Sequence, residues 1–205
     1  MKLRLFPQEK AGLAILAKMA TEGVSAVHTL SELLGTAPTD FEDLAEQLRT
    51  SEARSTELFV ALLTNMRTSF VNPLPREDLF ALGRRLNEAS ESLTGAAELI
   101  ALHQLDRIPP RASDQLEIIT RQAELTVDAM RRLDNLDDLE EYWIQVIRLS
   151  KRAQRSHRVF VSELMRDLTP AALVKYRVLA DALVDVSGAY RNVAIQVGSI
   201  IVKES

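Results

Sequence analysis

The residues with the clearest spacing for binding chemistry are five basic side chains with repeated spacings of three and four residues among them: Arg148, Lys151, Arg152, Arg155 and Arg158. Side chains three and four apart share one face of a helix, so these five would form a cationic stripe about 15 Å long. No acidic residue occurs between Glu141 and Glu163. The stripe predicts a docking surface for an acidic partner or a phosphate-bearing ligand. A solvated face balanced by acids on neighbouring helices is the alternative that the sequence leaves open.

Residue patterns typical of enzymes do not occur in this sequence. It contains no GxSxG, P-loop, GxGxxG or HExxH motif. Neighbouring acids such as Glu88 and Glu91 are common on exposed helix faces, and the three histidines (His28, His103, His157) are far apart in sequence. The absence of cysteine excludes a disulfide scaffold, thiolate metal ligands and a cysteine nucleophile. We therefore expect a protein that is not an enzyme.

Composition limits the class of protein further. Of the 205 residues, 46% are hydrophobic and 26% are charged, with a net charge of -4, which is enough apolar content for a core. The acidic balance and the lack of aromatics within the stripe argue against nucleic-acid binding. No apolar run approaches the roughly 18 residues that span a bilayer, and the first ten residues do not resemble a signal peptide. We expect a cytoplasmic protein, with peripheral contact to the inner face of the membrane left open.

The elements that carry these side chains are separated by clear breaks. Glycine, proline and polar clusters fall at 35–39, 72–75, 108–110, 134–135 and 169–170, and they separate an N-terminal segment from five segments of about 25–30 residues. Helix starts are predicted by two capping boxes, Thr39 with Glu42 and Asp137 with Glu140, and by Thr169 followed by Pro170.

Apolar residues inside the segments recur with a helical period. In the last segment they alternate between spacings of four and three from Ala172 to Ile200, and in the third from Leu79 to Ile100. The sequence therefore predicts an all-α protein with six long helices. We interpret these as two tandem three-helix bundles, residues 1–105 and 106–205, which form a pseudo-repeat packed as one unit.

Polar residues interrupt the apolar stripe of two helices: Ser51 and Ser55 in the second, and Ser150, Gln154 and His157 in the fifth. A polar group left unpaired in a core costs about 1–3 kcal/mol. Two interpretations follow. These stretches are exposed where neighbouring helices splay apart, or they line a functional groove or a former ligand site.

The segment RTSFVNPLPREDLFALGRRL (67–86) resembles the segment between the second and third helices of PhoU-like proteins of the Pit-accessory group, which are regulators of phosphate transport. The matching residues are Phe70, Val71, Pro73, Leu74, Arg76, Glu77, Asp78 and Leu79, whereas Asn72 and Pro75 differ. The tail is similar to the ending of the same family at Ala194, Ile200, Ile201, Val202 and Lys203.

The resemblance implies a PhoU-like fold and a function. By this resemblance the protein is a non-enzymatic accessory protein of inorganic phosphate (Pit-type) transport that acts through protein–protein contacts. The implied partner is a membrane phosphate transporter or another regulatory protein. Formation of a homo-oligomer stays open.

The resemblance also implies candidate metal ligands, because PhoU-like proteins bind iron or zinc clusters through Glu/Asp-x-x-x-Asp pairs. Alignment on Phe70 places these pairs at Glu52 and Thr56 and at Asn87 and Glu91. In the second half they fall on Ser150 and Gln154, and on Val184 and Gly188. What remains is a degenerate set, Glu52, Asn87 and Glu91, so we expect no cofactor. The alternative is a metal-binding bundle that holds iron, zinc or another divalent cation at this first-bundle site.

Overall fold

The computed structural model describes residues 10–69, 71–105 and 107–204 and places six α-helices within them: α1 Ala11–Gly35, α2 Phe41–Thr68, α3 Arg76–His103, α4 Pro110–Arg131, α5 Leu139–Asp167 and α6 Pro170–Glu204. No strand occurs in these ranges, so the prediction of an all-α, six-helix protein is confirmed. Residues 1–9, on which the signal-peptide expectation falls, lie outside the described residues, as do Phe70 and Asp106.

The helix ends follow the breaks, but not through the predicted capping boxes. The start of α6 at Pro170 is as predicted. Thr39 instead lies inside a short 3-10 turn, Pro38–Asp40, and its hydroxyl donates to the Asp40 carboxylate at 3.3 Å. Asp137 likewise lies inside the turn Leu136–Asp138, where its N–H donates to the Asn135 side chain at 3.5 Å. Both capping boxes were wrong because a 3-10 turn occupies the position that the cap needs.

The six helices pack with two of them at the outer edges. α2 packs against α1 and α3, and α5 packs against α4 and α6. The inner four helices join the two groups through the pairs α1–α4 and α3–α6. α2 and α5 therefore lie on opposite sides of the molecule, each with one long face turned to solvent.

Two hydrophobic clusters follow one another along the helices, and each takes residues from all six. One includes Val27, Leu48, Leu93, Ile119, Phe160 and Leu183. The other includes Leu16, Leu62, Leu82, Met130, Val146 and Val197. Burial of each such side chain contributes about 1.5–3 kcal/mol. Helices from both predicted bundles share both clusters, and the division at residue 105 stays a prediction.

Buried polar residues lie where the two clusters meet, in a level that we call the polar layer: Ser55, Ser90, Gln122, Thr126, Ser150 and Ser187. Tyr142 and Tyr190 reach the same level with buried hydroxyls. On α1 the layer meets Gly23, where an added Cβ would lie 2.9 Å from Tyr190 Oη. The glycine thus allows the phenol to approach the backbone of α1.

Candidate functional site

The five basic residues of the predicted stripe lie together on the outer face of α5, and we call them the α5 ridge. All five side chains are exposed: Arg148, Lys151, Arg152, Arg155 and Arg158. The apolar residues of α5 explain this placement. Tyr142, Val146, Ala153, Phe160 and Leu164 are buried on the opposite side of the helix, against α4 and α6.

No side chain among the described residues neutralises the α5 ridge by direct contact. None of its five residues takes part in the ion pairs or side-chain hydrogen bonds of the described chain. Asp181 of α6 faces α5, but its carboxylate lies 2.6 Å from His157 Nε2 and 3.6 Å from Arg177 Nε. Glu163, at the end of α5, binds Arg111 of α4 at 2.9 Å. An unpaired row of charge of this kind produces a positive potential that attracts anionic groups.

A groove of about 580 Å³ lies beside the ridge, between α1, α4 and α5. Leu34, Leu116 and Leu149 form its apolar part, and Arg152 of the ridge lines it as well. Its other charged residues are Glu117, Arg121 and Glu124, and the side chains of the last two pair at 3.1 Å. The groove therefore places an apolar surface next to the unpaired cations.

The candidate metal ligands Glu52, Asn87 and Glu91 lie on α2 and α3, which pack against each other. Thr56 Oγ1 donates to Asn87 Oδ1 at 3.2 Å, so the aligned positions of the two helices do face each other. Asn87 Nδ2 then donates to Glu91 Oε1 at 2.7 Å, which holds the carboxylate on the α3 surface. Glu52 is partly buried one turn before Thr56.

Metal chemistry at this position would need more ligands than these side chains supply. Divalent cations such as Ca²⁺ take six or more oxygen ligands, and zinc takes four from N, S or O donors. Across the described residues, no group of three or more histidine, aspartate and glutamate side chains is placed to hold a metal ion. The amide of Asn87 occupies one oxygen of Glu91, so that oxygen is already engaged within the protein.

The interpretation that the polar residues of the interrupted stripes are exposed holds for some of them and not for others. Exposure explains Gln154, which faces solvent. It does not explain Ser55 and Ser150, which are 1% and 3% exposed, so that interpretation was wrong for these two serines. Both belong to the polar layer in the interior. His157 is partly buried and faces Asp181.

Sequence reasoning missed the buried polar residues of α4, two of which, Gln122 and Thr126, belong to the polar layer. Gln115, Gln122 and Thr126 are each at most 1% exposed. The signal was present, since Gln115 and Gln122 are seven residues apart and therefore lie on one helix face among apolar neighbours. A heptad-spaced pair of glutamines within an apolar stripe predicts buried amides.

Comparison with known proteins finds a distant similarity along most of the chain. No family model matches. The chain is 18% identical over 174 residues to UPF0111 protein YkaA from Bacillus subtilis (strain 168), and the match covers 83% of this chain and 84% of that protein. It is thus similar to that protein over most of the six-helix architecture. None of the helices in the described ranges is long and apolar enough to span a bilayer.

Proposed function

We propose that this protein is a non-enzymatic, PhoU-like accessory protein of inorganic phosphate (Pit-type) transport. It acts from the cytoplasmic side by contacting a membrane phosphate transporter or another regulatory protein. The family resemblance of residues 67–86 and of the tail supports this proposal, as does the distant similarity to UPF0111 protein YkaA. The observation that carries the mode of action is the exposed α5 ridge without ion-pair partners.

The α5 ridge suits an acidic partner surface for a physical reason. Charges that are already paired within a protein gain little by meeting a partner, whereas unpaired ones keep their full attraction. Four of the five residues are arginines, whose planar guanidinium groups bind carboxylates through two parallel hydrogen bonds. The packed helix fixes the backbone spacing of the row, so the conformational entropy lost on binding is that of the side chains alone.

The neighbouring groove adds an apolar component to the same contact. Leu34 and Leu149, which are partly exposed, can receive apolar side chains of a partner whose acids lie along the ridge. An interface of this kind combines electrostatic attraction with burial of apolar surface. Arg152 belongs to both surfaces and is therefore the residue whose change should matter most.

Charge reversal on the ridge tests the proposed contact. The double variant Arg152→Glu, Arg155→Glu should abolish co-purification with an affinity-tagged phosphate transporter from the same cells. A matched control reverses Arg54 and Arg67 on α2, which are exposed and have no ion-pair partner among the described residues. The control changes net charge equally and should leave co-purification intact. Unchanged co-purification of the ridge variant would remove the ridge from the proposal.

Phosphate uptake tests the function itself. A strain that lacks this protein should show altered uptake of radiolabelled phosphate, which the wild-type chain restores and the ridge variant does not. Uptake that is unaltered by the deletion would contradict a role in phosphate transport, whatever the outcome of the co-purification experiment.

A further inference from the structure

We propose that the polar layer is a hydration site that holds water inside the bundle, bound by Gln122 of α4 and by Ser187 and Tyr190 of α6. All three residues are at least 98% buried. Gln122 Oε1, Ser187 Oγ and Tyr190 Oη have no hydrogen-bond partner among the described residues. Buried polar atoms in native proteins are nearly always paired, with protein groups or with ordered water.

The residues that carry these three atoms are neighbours in the interior. Gln122 Nε2 donates to the Ser187 carbonyl at 3.3 Å, which places the amide beside α6. Ser187 and Tyr190 are three residues apart and share a helix face. Thr126, one turn after Gln122, donates to the Gln122 carbonyl at 2.8 Å and its hydroxyl lies 3.1 Å from Tyr142 Oη.

The two phenols of the cluster remain neutral donors at physiological pH. Burial raises the pKa of Tyr142 well above the ordinary value for tyrosine, and the hydrogen bond with Thr126 opposes this only in part. Burial also raises the pKa of Tyr190, and the nearby Tyr142 raises it further. The cluster therefore offers hydroxyl donors and an amide acceptor, without formal charge.

This set of groups fits water better than an ion. Water can accept from the Ser187 and Tyr190 hydroxyls and donate to Gln122 Oε1, and buried waters typically make about three such bonds. An ion would need an opposite charge nearby, because an uncompensated buried charge is strongly unfavourable. Among the described residues, the buried charged one is Asp78. It lies twelve residues before Ser90 on α3, about 18 Å along the helix, and so is too distant to balance an ion in the polar layer. Gly23 lets the Tyr190 hydroxyl lie close to α1, since a Cβ there would be 2.9 Å from Tyr190 Oη.

A high-resolution crystal structure of the full wild-type chain tests the site directly. We expect an ordered water about 2.6–3.2 Å from at least two of the three atoms, Gln122 Oε1, Ser187 Oγ and Tyr190 Oη. Well-ordered side chains with no solvent density between them would overturn the proposal. This measurement needs neither a transporter nor a phosphate assay, so its outcome is independent of the proposed function.

The substitution Tyr190→Phe provides a second test through stability. If the hydroxyl is bonded to water, its loss should lower the folding equilibrium constant by about fivefold, as for a typical buried hydrogen bond. Tyr142→Phe is the matched control, since this hydroxyl pairs directly with Thr126 and its loss calibrates the size of the effect. Stability that is unchanged or increased in Tyr190→Phe would mean that the hydroxyl has no partner, contrary to the proposal. If this variant fails to fold, the wild-type crystal structure decides.

Discussion

Lys203 Nζ donates a hydrogen bond to Asp78 Oδ1 at 2.7 Å and so joins the last turn of α6 to the first turn of α3. The Asp78 side chain is 2% exposed, whereas that of Lys203 is 47% exposed. Gln196 Nε2 donates to the same carboxylate oxygen at 3.1 Å. The two segments that carry the family resemblance therefore contact each other, and this contact gives the resemblance a structural role.

Replacement of Lys203 should destabilise the fold. In Lys203→Met the buried Asp78 carboxylate loses its cationic partner and keeps Gln196, so we expect a decrease of about 2 kcal/mol in the free energy of unfolding. Urea denaturation monitored by circular dichroism measures this change. Lys18→Met, at an exposed position on α1, is the control and should lie within about 0.5 kcal/mol of wild type. Equal stability of Lys203→Met and wild type would show that the pair contributes nothing.

Two glycines of α3 should respond to alanine in opposite directions. A Cβ at Gly83 would lie 2.6 Å from Leu62 Cδ2 and 2.8 Å from Phe59 Cδ2, so Gly83→Ala should cost about 1–3 kcal/mol through overpacking. Beyond its own turn of α3, no atom lies within 4 Å of a Cβ added at Gly95, so Gly95→Ala should stabilise the helix by about 0.5–1 kcal/mol. Thermal melts of the two variants give the comparison. A Gly83→Ala protein as stable as Gly95→Ala would contradict the close α2–α3 packing.

The Arg111–Glu163 pair should make part of the stability dependent on pH. The hydrogen bond from Arg111, together with its charge, holds the pKa of Glu163 below the ordinary value against the opposing effect of desolvation. A lowered pKa in the folded state stabilises the fold above the unfolded pKa of about 4.3, and this contribution is lost as the pH falls through the folded value. Glu163→Gln should therefore be less stable than wild type at pH 7, and the difference should shrink below about pH 4.

Denaturant titrations from pH 3 to 7 measure that difference. Glu57→Gln on α2 serves as the control, because the Glu57 carboxylate has no ion-pair partner among the described residues and should show no such trend. A difference between Glu163→Gln and wild type that stays constant with pH would show that the lost contact is not ionic.

Local chemistry explains why the helices were predictable and their caps were not. Proline and glycine act on their own backbone, so breaks at 72–75 and 169–170 could be located without a tertiary structure. A capping side chain must compete with alternative turns over the same residues. Thr39 and Asp137 each lie inside a 3-10 turn and do not cap the following helix. The spacing of Thr39 with Glu42 does not distinguish between these two arrangements.

For the candidate site, the sequence likewise predicted which side chains are exposed but not which groups they contact. The buried face of α5 is set by its own apolar residues, so the exposure of Arg152 and Arg155 follows from periodicity. Whether acids of α4 and α6 reach those arginines depends on helix packing and side-chain partners. Asp181 contacts His157 and not an arginine of the ridge, because the register between α5 and α6 places its carboxylate beside the imidazole.

The amino-acid sequence by itself determined the all-α class, the approximate limits of the helices and the row of cations along α5, because each depends on residues close together in the chain. Only the tertiary structure decided that Ser55 and Ser150 are buried, that Asp78 meets Lys203, and that the ridge has no ion-pair partner within the described residues. These relationships join residues of different helices. Their energies depend on how the helices pack in three dimensions, which no local pattern specifies.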